Sequence, residues 1–249
     1  MTGAPRRHWL GDKGRRMALD LHNLDLHELE SGRRIAVVAH GRNGAPDQLQ
    51  MIPIIAACRS IGLGVVAPHC RNSNANCSDG TSQTFTMEGA VADLREVLDW
   101  VGTEGFAPPT LVAGHSMGGY AALRLAAERS EVGAVLAVSP VTSGTRLLAA
   151  HRAHGSLDML DREVPEARAE WPLHDISGLA AKITQPAALL VGSLDHLTQV
   201  PDVAALRAQL PNVVFWRVLE DEPHCPVGTA YPVELSAAMK CLGLRQQPS

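Results

Sequence analysis

The chain has 249 residues, of which 45% are hydrophobic and 19% are charged. This composition is typical of a globular protein and excludes a disordered chain, and the length is sufficient for a full hydrophobic core in one or two domains. The formal net charge of −4 argues against a nucleic-acid-binding protein, because such a protein needs a basic surface that matches the phosphate backbone.

The first half of the chain alternates apolar runs with helical patterns. Two weak strand signals within residues 7–25 flank Asp12-Lys13-Gly14, a sequence that predicts a hairpin turn. Short β-branched runs and amphipathic spacing follow. They predict strands at about 34–40, 64–67 (ended by Pro68) and 110–113, and helices at about 47–61 and 87–101.

The second half continues the alternation. The predicted strands lie at about 132–138, 187–191 and 213–219, and the helices at about 117–128, 201–210 and 232–242. The strand runs are continuously apolar, so both faces of each strand are expected to be covered. Strands of this kind that are separated by helices predict a mostly parallel sheet in an α/β fold.

Residues 142–181 break the alternation, because they contain short helical patterns and no strand signal. We interpret residues 1–249 as one domain in which this segment is a small helical cap over the carboxyl edge of the sheet, where α/β proteins bind ligands. Its histidines, His151, His154 and His174, are expected to face solvent. Most of its apolar side chains are expected to pack the cap onto the sheet, while Trp171 fits an acyl pocket equally well. The other apolar members are Leu147, Leu148, Leu157, Leu160 and Leu173.

The most informative string is Gly114-His-Ser-Met-Gly-Gly119, which contains G-x-S-x-G between a predicted strand and a predicted helix. A serine hydroxyl is exposed at such a strand-to-helix turn, and glycines at 114 and 118 remove side chains that would collide there. Ser116 is therefore the candidate nucleophile.

A serine nucleophile needs a base, and the base needs a carboxylate that orients it. Asp195 and His224 each follow a predicted strand, and they occur in the order serine, acid, histidine. The rival groups fit less well. Asp202 is placed to start a helix, His196 is expected at the rim, and the acids 220–222 lie too close to His224 in sequence.

An oxyanion hole needs two N–H donors. We expect one from Met117 and the other from Arg42, with Asn43 as the alternative, in the loop His40-Gly-Arg-Asn-Gly44. Gly41, Asn43, His115 and Trp171 are the candidate substrate-binding residues.

These motifs resemble the α/β-hydrolase superfamily, especially its small bacterial esterases and serine-aminopeptidase-like members. The resemblance covers roughly residues 34–242 and depends on His40-Gly41, the string 114–119, Ile183-Thr-Gln-Pro186 leading to Gly192-Ser-Leu-Asp195, and His224. It implies an eight-stranded, mostly parallel sheet, a Ser–Asp–His triad that cleaves ester, thioester or amide bonds through an acyl-enzyme, and no cofactor. The chain departs from the family pattern at Pro68–Ser73 and at Pro223. Both departures bear on the walls of the pocket and so on the substrate, and neither removes a member of the triad.

The expected function is that of a serine carboxylesterase acting on small to medium acyl esters. One alternative uses the same triad on another bond, as a peptidase, thioesterase, C–C hydrolase or perhydrolase. An aminopeptidase would need an acidic clamp, for which the cap offers Asp158, Asp161, Glu163, Glu166 and Glu170. The second alternative is a non-catalytic binding protein with a hydrolase fold.

Other features bear on the surroundings of the protein. Five cysteines at irregular spacing (58, 70, 77, 225 and 241) predict reduced thiols, although Cys70 and Cys77 are placed to close a small loop. No metal-ligand motif occurs, so no metal is expected. The sequence has no 18-residue apolar run and no apolar segment after its N-terminal charges, which predicts a cytoplasmic protein without a membrane span. The expected partner is a small-molecule ester, and the oligomeric state stays open.

Overall fold

The computed structural model describes residues 4–24 and 33–244. These residues form an eight-stranded sheet with the order β1-β2-β4-β3-β5-β6-β7-β8. The strands are β1 (Arg6–Leu10), β2 (Met17–His22), β3 (Ile35–Ala39), β4 (Gly64–His69), β5 (Leu111–His115), β6 (Val135–Val138), β7 (Ala187–Gly192) and β8 (Val213–Leu219). β2 pairs antiparallel with β1 and β4, and the other pairs are parallel. The mostly parallel α/β sheet predicted from the sequence is confirmed.

The α-helices are α1 (Ile52–Ser60), α2 (Met87–Thr103), α3 (Met117–Glu128), α4 (Gly144–Ala153), α5 (Leu157–Glu163), α6 (Ala167–Glu170), α7 (Val200–Gln209) and α8 (Ala230–Cys241). They cover both faces of the sheet. In β3, Val37 packs into the core shared with α2, α3 and α7, while Val38 packs into the core shared with α1 and α8. Because successive strand residues point to opposite faces, a strand covered on both sides is apolar throughout.

Two predicted boundaries are wrong, and proline explains both. The helix expected from residue 47 begins at Ile52, with Pro53 in its first turn. Proline is tolerated there but not in a helix interior, where its ring clashes and its missing N–H leaves a gap. The strand expected to end before Pro68 continues to His69. β3 pairs with β4 only up to Val66, so Pro68 lies where β2 is the neighbouring strand.

The segment between β6 and β7 contains α4, α5 and α6 and two 3₁₀ turns, at Trp171–Leu173 and Ser177–Lys182. Four of its leucines pack against the core as predicted, Leu147, Leu148, Leu157 and Leu160, and Trp171, for which the sequence left packing and an acyl pocket open, packs there too. Leu173 does not, because it is 79% exposed.

The prediction that the histidines of this segment face solvent is wrong for two of the three. His174 is buried, with Nδ1 beside the Tyr120 hydroxyl at 3.1 Å and Nε2 beside Glu170 Oε1 at 2.5 Å. His151 is buried between Ser156 and the Trp171 ring. Each ring also contacts an aromatic side chain that is distant in sequence, Tyr120 for His174 and Trp171 for His151, and sequence alone does not show such contacts. His154 is exposed.

None of the helices in the described ranges has the length and apolar character needed to cross a membrane.

Candidate active site

Ser116 stands between the end of β5 and the start of α3, with φ 56° and ψ −118°. A non-glycine residue with positive φ is strained, and such strain concentrates at functional sites. The turn is possible because its glycines lack side chains. A Cβ at Gly114 would overlap the carbonyl oxygen of Gly118, and a Cβ at Gly118 would overlap that of Ala39.

Ser116, His224 and Asp195 form one line of hydrogen bonds across the carboxyl edge of the sheet. The Ser116 hydroxyl lies 2.9 Å from His224 Nε2, and His224 Nδ1 lies 2.9 Å from Asp195 Oδ2. Because a carboxylate only accepts, Nδ1 carries the proton and Nε2 is left free to accept from the serine. The three residues follow β5, β7 and β8, as their positions in the sequence predict.

The Asp195 carboxylate is held by its own loop. Its Oδ1 accepts from the backbone N–H groups of Leu197 and Thr198, each at 2.9 Å, and its Oδ2 accepts from the Thr198 hydroxyl at 2.7 Å. Burial would raise the pKa of Asp195, but the hydrogen bonds from His224 and Thr198 outweigh it and lower the pKa to about 2. Sequence reasoning missed Thr198. The available signal was a hydroxyl three residues after the acid, in a loop.

His115 holds the loop that carries the base His224. Its Nε2 donates to the backbone carbonyl of His224 at 2.7 Å, which anchors the loop that carries the base. Burial lowers the pKa of His115 to about 3, so its ring is neutral near pH 7. Its Nδ1 is buried without a partner in the described part of the chain.

The loop after β3 lies against the nucleophile. A Cβ at Gly41 would lie 2.9 Å from Ser116 Cβ, so only a glycine allows this approach. Burial lowers the pKa of His40 to about 4, and the neutral ring accepts from Cys70 N at 2.9 Å through Nε2. Its Nδ1 therefore carries a proton, which it donates to the Gly41 carbonyl at 2.7 Å.

Arg42 and Asn43 in the same loop turn in different directions. The Arg42 guanidinium donates to Glu163 of α5 at 2.7 Å, which joins this loop to the segment between β6 and β7. Asn43 has φ 49°, and its side-chain oxygen accepts from Asn74 N at 2.7 Å. The Asn43 side chain thus braces a neighbouring loop.

A cavity of about 160 Å³ opens beside the serine. Its lining consists of Gly41, Arg42, Gln48, Gln50, His115, Ser116, Met117, Leu147, His151, Leu197, His224 and Cys225. Gly41 and His115, expected to contact substrate, are among them. Trp171 and Asn43 are not, and the expectation that Trp171 contacts substrate is wrong, because its ring is fully buried in the core.

His151 is a cavity residue that the sequence did not indicate. Its Nδ1 lies 2.8 Å from the Ser156 hydroxyl. Burial, together with the charge of Arg42, lowers its pKa to about 4, so it presents a neutral ring to the cavity near pH 7.

Several of the carboxylates considered as rivals or as a clamp have other partners. Asp202 pairs with Arg146, and the buried Glu222 accepts from Val227 N at 2.9 Å. In the segment between β6 and β7, Asp161 pairs with Arg168, and Glu170 accepts from the first N–H groups of α2. No carboxylate is among the lining residues of the cavity beside Ser116.

Within residues 4–24 and 33–244, no group of three or more histidine, cysteine or acidic side chains is arranged to hold a metal ion. The five cysteines all lie in these ranges and are free thiols, with Cys70 buried and Cys77 exposed.

Comparisons with known proteins identify the family and the fold. The model of the Esterase family, described as "Putative esterase", matches residues 91–215. No curated protein matches the chain.

Several solved structures share the fold. The structure of Est1E from Butyrivibrio proteoclasticus with ferulic acid bound superposes with a TM-score of 0.74 at 14% identity, over 94% of this chain and 96% of that one. The structure of the Pyrococcus furiosus esterase Pf2001 superposes with a TM-score of 0.74 at 19% identity, over 98% of this chain and 93% of that one. The structure of the mouse α/β-hydrolase domain-containing protein 10 superposes with a TM-score of 0.71 at 16% identity, over 95% of this chain and 98% of that one. At these identities the likeness shows a common fold.

Proposed function

The chain belongs to the Esterase family and is an ester-hydrolysing enzyme of the α/β-hydrolase fold, and we propose that it is a serine carboxylesterase whose catalytic residues are Ser116, His224 and Asp195. The observation that carries this proposal is the unbroken line of hydrogen bonds from the Ser116 hydroxyl through His224 to Asp195. Each residue has the partner that its role requires.

In the first half of the reaction, His224 Nε2 takes the Ser116 proton while Oγ attacks the acyl carbon of the ester. Asp195 holds the protonated Nδ1 and stabilises the imidazolium that forms. His224 then gives the proton to the departing alcohol oxygen, which leaves the acyl group on Ser116. In the second half, water loses its proton to His224 and attacks the acyl carbon, and the serine is regenerated.

The oxyanion of each tetrahedral intermediate needs two donors. We assign them to the backbone N–H groups of Met117 and Arg42, because both residues line the cavity beside Ser116. Met117 is the first residue of α3, so its N–H has no partner inside the helix and the helix dipole favours negative charge there. The salt bridge from Arg42 to Glu163 keeps the second donor's loop in place.

The size of the cavity supports small to medium acyl groups as substrates. A volume of about 160 Å³ is smaller than the roughly 300–1,000 Å³ of pockets that enclose drug-sized ligands. The segment 142–181 acts as a cap in this proposal, since Leu147 and His151 of α4 form one wall of the cavity. The neutral His151 and two glutamines give the cavity lining polar groups, while Leu147 and Leu197 give it apolar ones.

The structure also bears on the alternatives. An aminopeptidase needs a carboxylate beside the substrate amine, and the cavity lining contains none. A thioesterase, C–C hydrolase or perhydrolase would use the same triad, and substrate assays distinguish these activities. A non-catalytic binding protein would not need the strained Ser116 conformation or the four hydrogen bonds on Asp195.

The first test is hydrolysis of p-nitrophenyl esters with acyl chains of two to sixteen carbons. We expect kcat/KM to be highest for short chains and kcat to fall about 10⁴–10⁶-fold in Ser116→Ala and in His224→Ala. The matched control is Ser193→Ala, which removes a hydroxyl just after β7, where it accepts from Asp221 N. Hydrolysis that survives in Ser116→Ala would refute the proposed nucleophile. Turnover of thioesters or peptides without ester hydrolysis would favour the alternatives.

A further inference from the structure

A second cluster of reactive side chains lies at the β1 side of the sheet, around β1, β2 and the end of β4. It consists of Arg7 on β1, Asp20 on β2, His69 at the end of β4, and Cys77 in the loop that follows. None of the four lines the cavity beside Ser116. The mechanism proposed above therefore leaves this cluster unexplained.

The buried pair Asp20–His69 orients the imidazole. Asp20 Oδ2 lies 2.9 Å from His69 Nε2, and both side chains are 6% exposed. Burial would raise the pKa of Asp20, but the hydrogen bonds from His69 and Arg7 outweigh it and lower the pKa. The ionised carboxylate only accepts, so His69 Nε2 carries a proton. In the neutral ring, Nδ1 is then the free base.

His69 Nδ1 is directed at a thiol. Cys77 Sγ lies 3.9 Å from it, and this is the polar contact recorded for Nδ1 in the described part of the chain. A base within reach of an S–H, itself oriented by a carboxylate, is the arrangement that activates a nucleophilic cysteine.

Arg7 adds a cation to the same sulfur. Its Nη1 donates to Cys77 Sγ at 3.1 Å, while Nε and Nη2 donate to Asp20 Oδ1 at 2.9 and 2.7 Å. Nη2 also lies 3.2 Å from His69 Nε2, but both atoms carry protons, so the hydrogen bond of each is with Asp20. The guanidinium is therefore placed to pair with the sulfur once its proton has passed to His69.

The remaining cysteines provide the comparison within the same molecule. Cys58 and Cys70 are buried, and burial raises the pKa of both thiols, to about 12 for Cys58. Cys225 is exposed, but it lines the cavity beside Ser116. Cys241 is exposed at the end of α8, with no histidine or guanidinium contact recorded among the described residues. Cys77 alone among the five combines exposure with a base and a cation.

We propose that Cys77 is a nucleophilic thiol, activated by His69, Asp20 and Arg7, and that it is a site of thiol–disulfide exchange with low-molecular-weight disulfides. His69 Nδ1 takes the proton from Cys77 Sγ, and the thiolate attacks one sulfur of the disulfide. A new S–S bond joins Cys77 to that sulfur as the original S–S bond breaks. The departing thiolate takes up a proton, so the products are a mixed disulfide on Cys77 and one free thiol.

The test incubates the full-length protein with oxidised glutathione and follows each cysteine-containing peptide by mass spectrometry. We expect Cys77 to be modified at least about tenfold faster than Cys241. Arg7→Gln and His69→Asn are each expected to remove most of that difference. Arg162→Gln, which removes an exposed arginine of the cap segment, leaves it unchanged.

The rate at Cys241 and the Arg7→Gln variant keep the inference separate from folding effects and from the proposed esterase activity. The rate at Cys241 in every sample reports on general exposure. If His69→Asn does not fold, Arg7→Gln decides, because its side chain is 42% exposed. Modification of Cys77 no faster than of Cys241, or a Cys77 rate unchanged in both variants, overturns the proposal. Neither result depends on ester hydrolysis.

Discussion

Asp195 accepts four hydrogen bonds, and only one of them comes from the base. The other three come from Leu197 and Thr198, so the carboxylate is fixed before substrate arrives. This preorganisation explains how a buried acid keeps its charge. It also gives Thr198 a role that is separable from that of the acid itself.

We predict that Asp195→Asn lowers kcat by about 10⁴-fold, as the equivalent change does in another serine hydrolase. The reason is that an amide can present its NH₂ group to His224 and favour the wrong tautomer. Thr198→Val is expected to lower kcat by only about tenfold, because one hydrogen bond to a charged group is lost while the carboxylate stays. Steady-state kinetics on one short ester measures both. A Thr198→Val loss as large as that of Asp195→Asn would contradict this division of roles.

The same carboxylate makes stability depend on pH. Its pKa is lowered from the ordinary value of about 3.9 to about 2 in the folded chain. Its contribution is therefore complete above about pH 4 and is lost as the pH falls toward 2.

At the scale of elements, β5 and α3 meet at a turn that has no room for another atom. A Cβ on Gly118 would overlap the carbonyl oxygens of Ala39 and His40. Those carbonyls belong to β3 and the loop after it. The turn at Ser116 is thus packed against β3 and the loop after it, which carries the second proposed oxyanion donor.

We predict that Gly118→Ala lowers the free energy of unfolding by about 3 kcal/mol or more, because backbone must move to admit the methyl group. Gly102 is the matched control. It lies inside α2, and a methyl group added there would meet nothing within 4 Å beyond its chain neighbours and the backbone of its own helix, so Gly102→Ala should raise stability by roughly 0.5–1 kcal/mol. Denaturant unfolding measures the free energy of unfolding of both variants. A small loss of stability in Gly118→Ala would contradict the close packing of the turn at Ser116.

At the scale of the whole molecule, the buried neutral histidines in and around the site make the free energy of unfolding depend on pH in acid. Burial lowers the pKa of His40 and His151 to about 4 and that of His115 to about 3. The unfolded chain binds protons at these residues from about pH 6.5 downward, whereas the folded chain resists until about pH 4. Their contribution to stability is therefore complete above about pH 6.5 and is lost as the pH falls toward 4.

We predict that the free energy of unfolding falls between pH 7 and pH 5 by up to about 2 kcal/mol for each of these histidines. His151→Asn should lose less stability over this interval than His154→Asn, in which an exposed histidine of the same segment is replaced. Guanidinium unfolding at the two pH values measures the difference. Equal losses in the two variants would show that the burial of His151 does not have this effect.

The sequence by itself determined the features that depend on local pattern. Continuous apolar runs separated by helical periodicity predict a parallel sheet, because a strand covered on both faces has no polar side. Glycines at 114 and 118 predict the sharp turn, and the order of Ser116, Asp195 and His224 predicts that they meet, because the carboxyl ends of parallel strands share one edge.

Tertiary structure alone decided which side chains surround those residues. His151 faces the cavity and Trp171 does not, although both belong to the same predicted cap segment. Cys77 acquires its base from β4 and its cation from β1, 70 residues away in the chain. Such contacts join residues that share no local pattern. They depend on the angle and distance at which whole elements pack, and periodicity and turn chemistry do not encode these quantities.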